Sequence, residues 1–135
     1  MIFIDTNIFL RAILDDHTSF SPACKNLFFK IKNEEIHGIS SDLVVAEIVF
    51  ILQRQTKKVL SRVEIFKLVG PLLSLRQLKT PAQKYWKKIF EVYIQRNVDF
   101  IDAYNIVVME ATGIKKAYTY DRDFDKTKLL QRIEP

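Results

Sequence analysis

The side chains of this chain best suited to chemistry are four carboxylates in four separate stretches: Asp5, Glu47, Asp102 and Asp121. Asp5 directly follows the apolar run Met1-Ile2-Phe3-Ile4, and Asp121 directly follows Lys116–Tyr120. Glu47 lies in Leu43-Val44-Val45-Ala46-Glu47-Ile48-Val49-Phe50-Ile51-Leu52. On a helix its face would be shared with Leu43, Val44, Phe50 and Ile51, all apolar. A carboxylate in such a surround is rarely fully buried unless it is paired or binds a metal. The competing reading is a residue at a rim that reaches water. Asp102 follows Asp99 by three residues, so with Asp99 as a helix cap it falls where acids also favour the helix dipole. Asp5 has a competing role as the cap of the next helix. Asp121, with Asp123 and Asp125 after it, can also be read as part of a solvated turn.

Convergence of these groups would have a definite chemical meaning. Two carboxylates about 4 Å apart repel by roughly 4 kcal/mol at an effective dielectric of 20, so a cluster calls for a cation. Oxygen-only ligands suit hard divalent ions, Mg²⁺ or Mn²⁺. No Cys/His spacing of a zinc site is present. A divalent ion on carboxylates activates water and polarises phosphoryl oxygens, which points to phosphodiester hydrolysis. Thr6 and Asn7 are placed to orient Asp5, and they are equally good turn formers. Arg11, on the helix after Asp5, is within reach of a substrate phosphate.

The elements that must position these residues alternate between strands and helices. A buried strand is expected over 1–4, a short helix over 8–14, and a helix from Ser21-Pro22 to about Lys32 with Ser21 as cap. A second strand is expected over 36–39. Ser40-Ser41-Asp42 opens a helix to about Arg54. A further helix covers about 61–69 and is expected to stop at Gly70-Pro71. A third strand follows over 73–78. Thr80-Pro81 opens a long helix to about Gln95, with Trp86, Phe90 and Tyr93 near one stripe. Asp99 caps a helix through Thr112 that Gly113 ends. A strand over 116–120, a turn or short helix over 121–126 and an edge strand over 130–133 complete the chain. Such alternation predicts a parallel sheet covered by helices on both faces. Ligand chemistry in such folds gathers at the carboxyl ends of the strands, where Asp5 and Asp121 stand.

The 135 residues suit one domain over 1–135, and 48% hydrophobic content suffices for a core. A net charge of +5 favours a polyanionic partner, although a merely solvated basic surface fits equally well. The clusters Arg54, Lys57, Lys58 and Lys84, Lys87, Lys88 fit nucleic-acid phosphates or a solvated face. Trp86, Phe90 and Tyr93 read as core or subunit contact rather than base platforms. The lone cysteine, Cys24, allows no internal disulfide and fits a reducing cytoplasm. It reads as a core residue, not a nucleophile. No secretory signal and no apolar run near the roughly 18 residues of a membrane span is visible.

In order along the chain, these segments resemble the PIN domains. Met1-Ile2-Phe3-Ile4-Asp5-Thr6-Asn7 is similar to that family's opening strand and D-T-N. Ser41-Asp42-Leu43-Val44-Val45-Ala46-Glu47 is similar to its second acidic segment, Asp99-Phe100-Ile101-Asp102-Ala103 to its third, and Thr119-Tyr120-Asp121-Arg122-Asp123-Phe124 to its last. The resemblance implies a three-layer α/β/α sandwich around a central, mainly parallel sheet. It implies a Mg²⁺- (or Mn²⁺-) dependent endoribonuclease. Small one-domain members are often VapC-like toxins, which implies an RNA substrate, a cognate antitoxin, a homodimer and a cytoplasmic place. By the same resemblance Asp5, Glu47, Asp102 and Asp121 are the metal and catalytic set. Thr6, Asn7, Asp99 and Asp123 support it, Asp123 also standing in for Asp121, and Arg11 meets substrate. The alternatives are an RNA-processing PIN nuclease outside a toxin system, or a PIN-like domain that binds RNA or protein without cutting.

Overall fold

A computed structural model describes residues 1–55, 57–127 and 130–135. They gather into two compact units, Met1–Lys84 and Tyr85–Pro135.

In the first unit, β1 (Ile2–Phe3), β2 (Gly38–Ile39) and β3 (Leu78–Lys79) form a parallel sheet in the order β1-β2-β3. Ile2 N donates to His37 O at 2.8 Å and Ile4 N to Ile39 O at 2.8 Å, which carries the β1 pairing up to Asp5. Gly38 sits where three side chains close in. A Cβ there would meet Leu78 Cδ1 at 3.1 Å and Ile4 Cγ1 at 3.2 Å, so a side chain would push the strands' apolar cover apart. Around the sheet run α1 (Thr6–Leu14), α2 (Phe20–Lys32), α3 (Asp42–Gln53) and α4 (Arg62–Leu73). Phe9, Phe28, Ile31, Val45, Ile48, Val49, Leu52, Ile65 and Val69 are buried and form this unit's core with Ile4 and Leu78. Two capped starts set helix phase: Ser41 Oγ accepts from Val44 N at 3.2 Å, and Ser61 with Glu64 makes a full capping box.

Several boundaries differ from expectation, and for four of them the contacts show the reason. α2 starts at Phe20, ahead of Ser21-Pro22, because His17 Nδ1 accepts from Ser19 N and Phe20 N while Ser21 Oγ accepts from His17 N. Ser19, not Ser21, is the cap, and Pro22 falls in the first turn, where its missing N–H costs nothing. α4 does not stop at Gly70-Pro71 but runs through both to Leu73, where Ser74 N and Ser74 Oγ both donate to Gly70 O. The third strand therefore lies later, at Leu78–Lys79. Residues 81–85 form turns rather than the start of the long helix. Asp42 Oδ1 accepts from Ala82 N at 3.0 Å and Gln83 Nε2 donates to Leu78 O, and these bonds hold the segment back toward the sheet.

In the second unit, α5 (Trp86–Gln95) packs against α6 (Phe100–Thr112), and β4 (Lys116–Tyr118) pairs in parallel with β5 (Gln131–Ile133). A short 3₁₀ turn, Arg122–Lys126, lies between them in sequence. The core is aromatic: Phe100 meets Phe90 at 5.1 Å and Tyr93 at 5.5 Å between ring centroids, and Trp86 stacks on Phe100 at 6.3 Å. Trp86, Phe90 and Tyr93 are thus core residues. Lys88 Nζ reaches the mostly buried Glu110 carboxylate at 2.7 Å and ties α5 to α6. Gly113 ends α6 with φ of +73°, a left-handed conformation that glycine adopts without strain. Every strand pairing among the described residues is parallel, as the α/β alternation in the sequence leads one to expect. No helix among them is long and apolar enough to cross a membrane.

Candidate metal centre

In the first unit the carboxyl end of β1 delivers Asp5 to the cap position of α1, with extended backbone (φ −87°, ψ 163°). Its side chain makes no capping hydrogen bond and the residue is exposed, so the carboxylate is not consumed by the helix it precedes. Thr6, next in sequence, is buried, and its hydroxyl donates a short hydrogen bond to Glu47 Oε2. That bond links the start of α1 to the middle of α3 and fixes one oxygen of Glu47.

Glu47 itself is exposed. The apolar surround read from its helix neighbours does not bury it, because α3 packs inward through Val44, Val45, Ile48, Val49 and Leu52. Leu43 and Phe50, on Glu47's side, are 81% and 49% exposed. The rim alternative therefore describes its burial. Asn7 is exposed. Arg11 is held by an ion pair to Asp16, Nη1 to Oδ1 at 2.8 Å, a partner the sequence reading did not assign.

The second unit brings three carboxylates together. Asp102, Asp121 and Asp123 each offer an oxygen within 4.8 Å of the others. Asp102 comes from the first turn of α6, behind Asp99, whose side chain makes no capping bond. Asp121 and Asp123 come from the turn after β4. Asp121 N donates to Thr119 Oγ1 at 3.0 Å, and Asp121 Oδ1 accepts from Asp123 N at 2.8 Å. This Asx turn points the two side chains to the same side, so Asp123 joins the cluster fully rather than standing in for Asp121. The D-x-D spacing was the available signal, and the hydrogen bond from Asp123 N to Asp121 Oδ1 is what gives it meaning. Asp125 instead pairs with Arg132.

The electrostatics match the crowding. Partial burial raises the Asp102 carboxyl above the ordinary aspartate range, and the negative charges of Asp121, Asp99 and Asp123 push it further up. At 4.8 Å each charge pair repels by about 1 kcal/mol in bulk water and about 3.5 kcal/mol at an effective dielectric of 20. The lower figure is nearer, because Asp121 is exposed. One cation already leans on the group. Lys126 Nζ lies 2.7 Å from Asp123 Oδ1 and also donates to Asn97 O at 3.3 Å. Three carboxylates, one ammonium and no sulfur or imidazole donor form a set that fits a hard, oxygen-seeking divalent cation.

A family model described as PIN domain matches residues 2–130. Among solved structures, the chain is similar to Mycobacterium tuberculosis VapC20, described as a sarcin-ricin loop cleaving toxin. The identity is 18%, the match covers 96% of this chain and 97% of that one, and the TM-score is 0.41. No curated protein sequence matches. With a family match over nearly its whole length, the chain belongs to the PIN domain family.

Proposed function

We propose that the protein is a Mg²⁺- (or Mn²⁺-) dependent endoribonuclease that hydrolyses RNA phosphodiester bonds, and that one PIN domain spans the whole chain. The observation that carries this reading is the Asp102, Asp121 and Asp123 cluster, taken with membership of a family of nucleases. Bound at such a cluster, a divalent ion supplies Lewis-acid activation of water for attack on phosphorus.

The chain's own residues do the positioning. Asp102 presents its carboxylate from a helix whose first turn is anchored by the aromatic core at Phe100. The Asp123 amide fixes one oxygen of Asp121. Lys126 balances charge until an ion arrives. Thr6 holds Glu47 in a single orientation. Asp5 and Glu47 complete the proposed catalytic and metal set with Asp102 and Asp121. The support for these two is the order of the four acidic motifs along the chain, together with an Asp5 side chain left uncommitted by its helix. Asn7 and Asp99 are assigned to support and Arg11 to substrate on the same basis.

The order of the acidic motifs favours a toxin of a type II toxin–antitoxin pair, acting in the cytoplasm as a homodimer restrained by an antitoxin. The test is cleavage of structured and unstructured RNAs with Mg²⁺, Mn²⁺ or EDTA, using Asp5→Asn and Asp102→Asn as controls. Cleavage should require the metal and vanish in both variants while the fold survives. Wild-type-like cleavage by either variant contradicts the assignment. Co-purification of a small partner that suppresses cleavage would support the toxin reading over an RNA-processing nuclease.

A further inference from the structure

One helical turn beyond Asp5 the first unit contains a cavity of about 410 Å³ between α1 and α2, lined by Asn7, Ile8, Arg11, Phe20, Ala23 and Cys24. Its size is within the range of small-ligand sites. We propose that this cavity receives an unpaired nucleobase of the RNA substrate, next to the phosphate to be cut; the inference rests on the nuclease reading above.

Three features carry it. Phe20 is 59% exposed, far more than its neighbours in α2 that build the core. Its ring is nevertheless held in place: His17 stacks on it at 4.1 Å with 9° between planes, and His17 Nδ1 accepts from the Phe20 amide at 3.1 Å. A fixed aromatic face open to solvent is the surface on which single-stranded bases stack, whatever their sequence. Second, Arg11 is paired with Asp16 at 2.8 Å, which orients its guanidinium. A guanidinium has five donors, and one ion pair leaves others for a base edge or phosphate. Third, Asn7 contributes an exposed amide with both donors and acceptor, the type of group that reads a base edge. The remaining walls, Ile8, Ala23 and Cys24, are apolar and match the faces of a base. Burial raises the Cys24 thiol, which keeps it a neutral wall.

Polarity argues against a purely apolar protein segment as the occupant. The cavity's amide at Asn7 and guanidinium at Arg11 have nothing to do against an aliphatic side chain. Asn7 is two residues from Asp5, which the proposed function assigns to the catalytic set, so on that reading a base seated here belongs to a nucleotide flanking the reaction.

The experiment compares cleavage efficiency of wild type, Phe20→Leu and Phe20→Tyr on a short single-stranded RNA in Mg²⁺ and Mn²⁺. It is repeated on substrates carrying one abasic position at a time around the cut. Thermal melts confirm that both variants fold. Loss of one stacked base should lower kcat/KM by roughly 5- to 150-fold in Phe20→Leu, while Phe20→Tyr stays near wild type. One abasic position should cost wild type a similar factor and cost Phe20→Leu nothing further. A Phe20→Leu enzyme with wild-type efficiency and unchanged abasic penalties overturns the pocket and leaves the nuclease standing. A loss in Phe20→Leu that is the same at every abasic position assigns Phe20 to folding or to a protein contact and overturns the base site. A wild type that cuts no RNA with either ion defeats the nuclease reading and this inference with it.

Discussion

Replacing Asp102 by Asn should make the protein more stable in EDTA and remove the metal response that the proposed function expects. The variant keeps the shape and a hydrogen-bonding oxygen but deletes a charge that burial and three neighbouring acids all disfavour. Removing its repulsions with Asp121 and Asp123, each about 1 kcal/mol in a water-like medium at 4.8 Å, predicts a gain of about 1–2 kcal/mol in EDTA. For a chain of this length that is a rise in Tm of roughly 4–8 °C. In the wild type, metal at a hundred times its Kd adds about 2.7 kcal/mol, and the variant forfeits most of that. Denaturation of both proteins in EDTA and across a Mn²⁺ titration reads all four corners. The expected crossing is a variant more stable than wild type without metal and less stable with it. A variant that is less stable in EDTA, beside a wild type indifferent to Mn²⁺, would refute the reasoning.

Further outcomes follow from single contacts. Thr6→Val removes the donor to Glu47 Oε2 at almost constant volume. It should lower cleavage about tenfold or more with a stability change of only about 1–2 kcal/mol, checked by steady-state kinetics and urea unfolding. Lys126→Met deletes the ammonium 2.7 Å from Asp123 and should tighten Mn²⁺ binding severalfold in calorimetry, because the ion no longer competes with a resident cation. The pH dependence has a fixed sign. The Asp102 pKa is raised in the fold, so its effect favours the metal-free protein below the ordinary aspartate pKa and is lost as pH rises through the elevated value. Stability in EDTA should thus fall across that window while metal affinity rises, measurable by thermal melts and calorimetry between acid and neutral pH.

Much of this was legible in the residues. Met1-Ile2-Phe3-Ile4 reads as a strand with Asp5 at its end, and the structure places Asp5 at the cap of a helix that starts at Thr6, two residues earlier than expected. Gly113 ends α6 because a left-handed glycine is a local signal, and Asp99 stands at the expected cap position although its side chain makes no capping bond. What sequence pattern could not show depends on partners distant in the chain or on one hydrogen bond. Gly70-Pro71 looks like a stop, yet α4 continues because packing at Val69 and Leu73 outweighs local propensity. The turns at 81–85 depend on Asp42, forty residues away. Glu47 looked surrounded by apolar residues, but three- and four-residue spacing gives a shared face without saying whether that face turns inward. Asp123 reads as a secondary candidate until the Asx turn with Asp121 is seen. Arg11 reads as having no protein partner until Asp16 is placed beside it.

The most direct test is to label the aspartate carboxyl carbons with ¹³C and follow their NMR signals as Mn²⁺ is added below one equivalent. The signals of Asp102, Asp121 and Asp123 should broaden first and together, and excess Mg²⁺ should restore them. Broadening that begins at Asp15, Asp16 or Asp125, or spreads evenly over all aspartates, would contradict a divalent-ion site at this cluster.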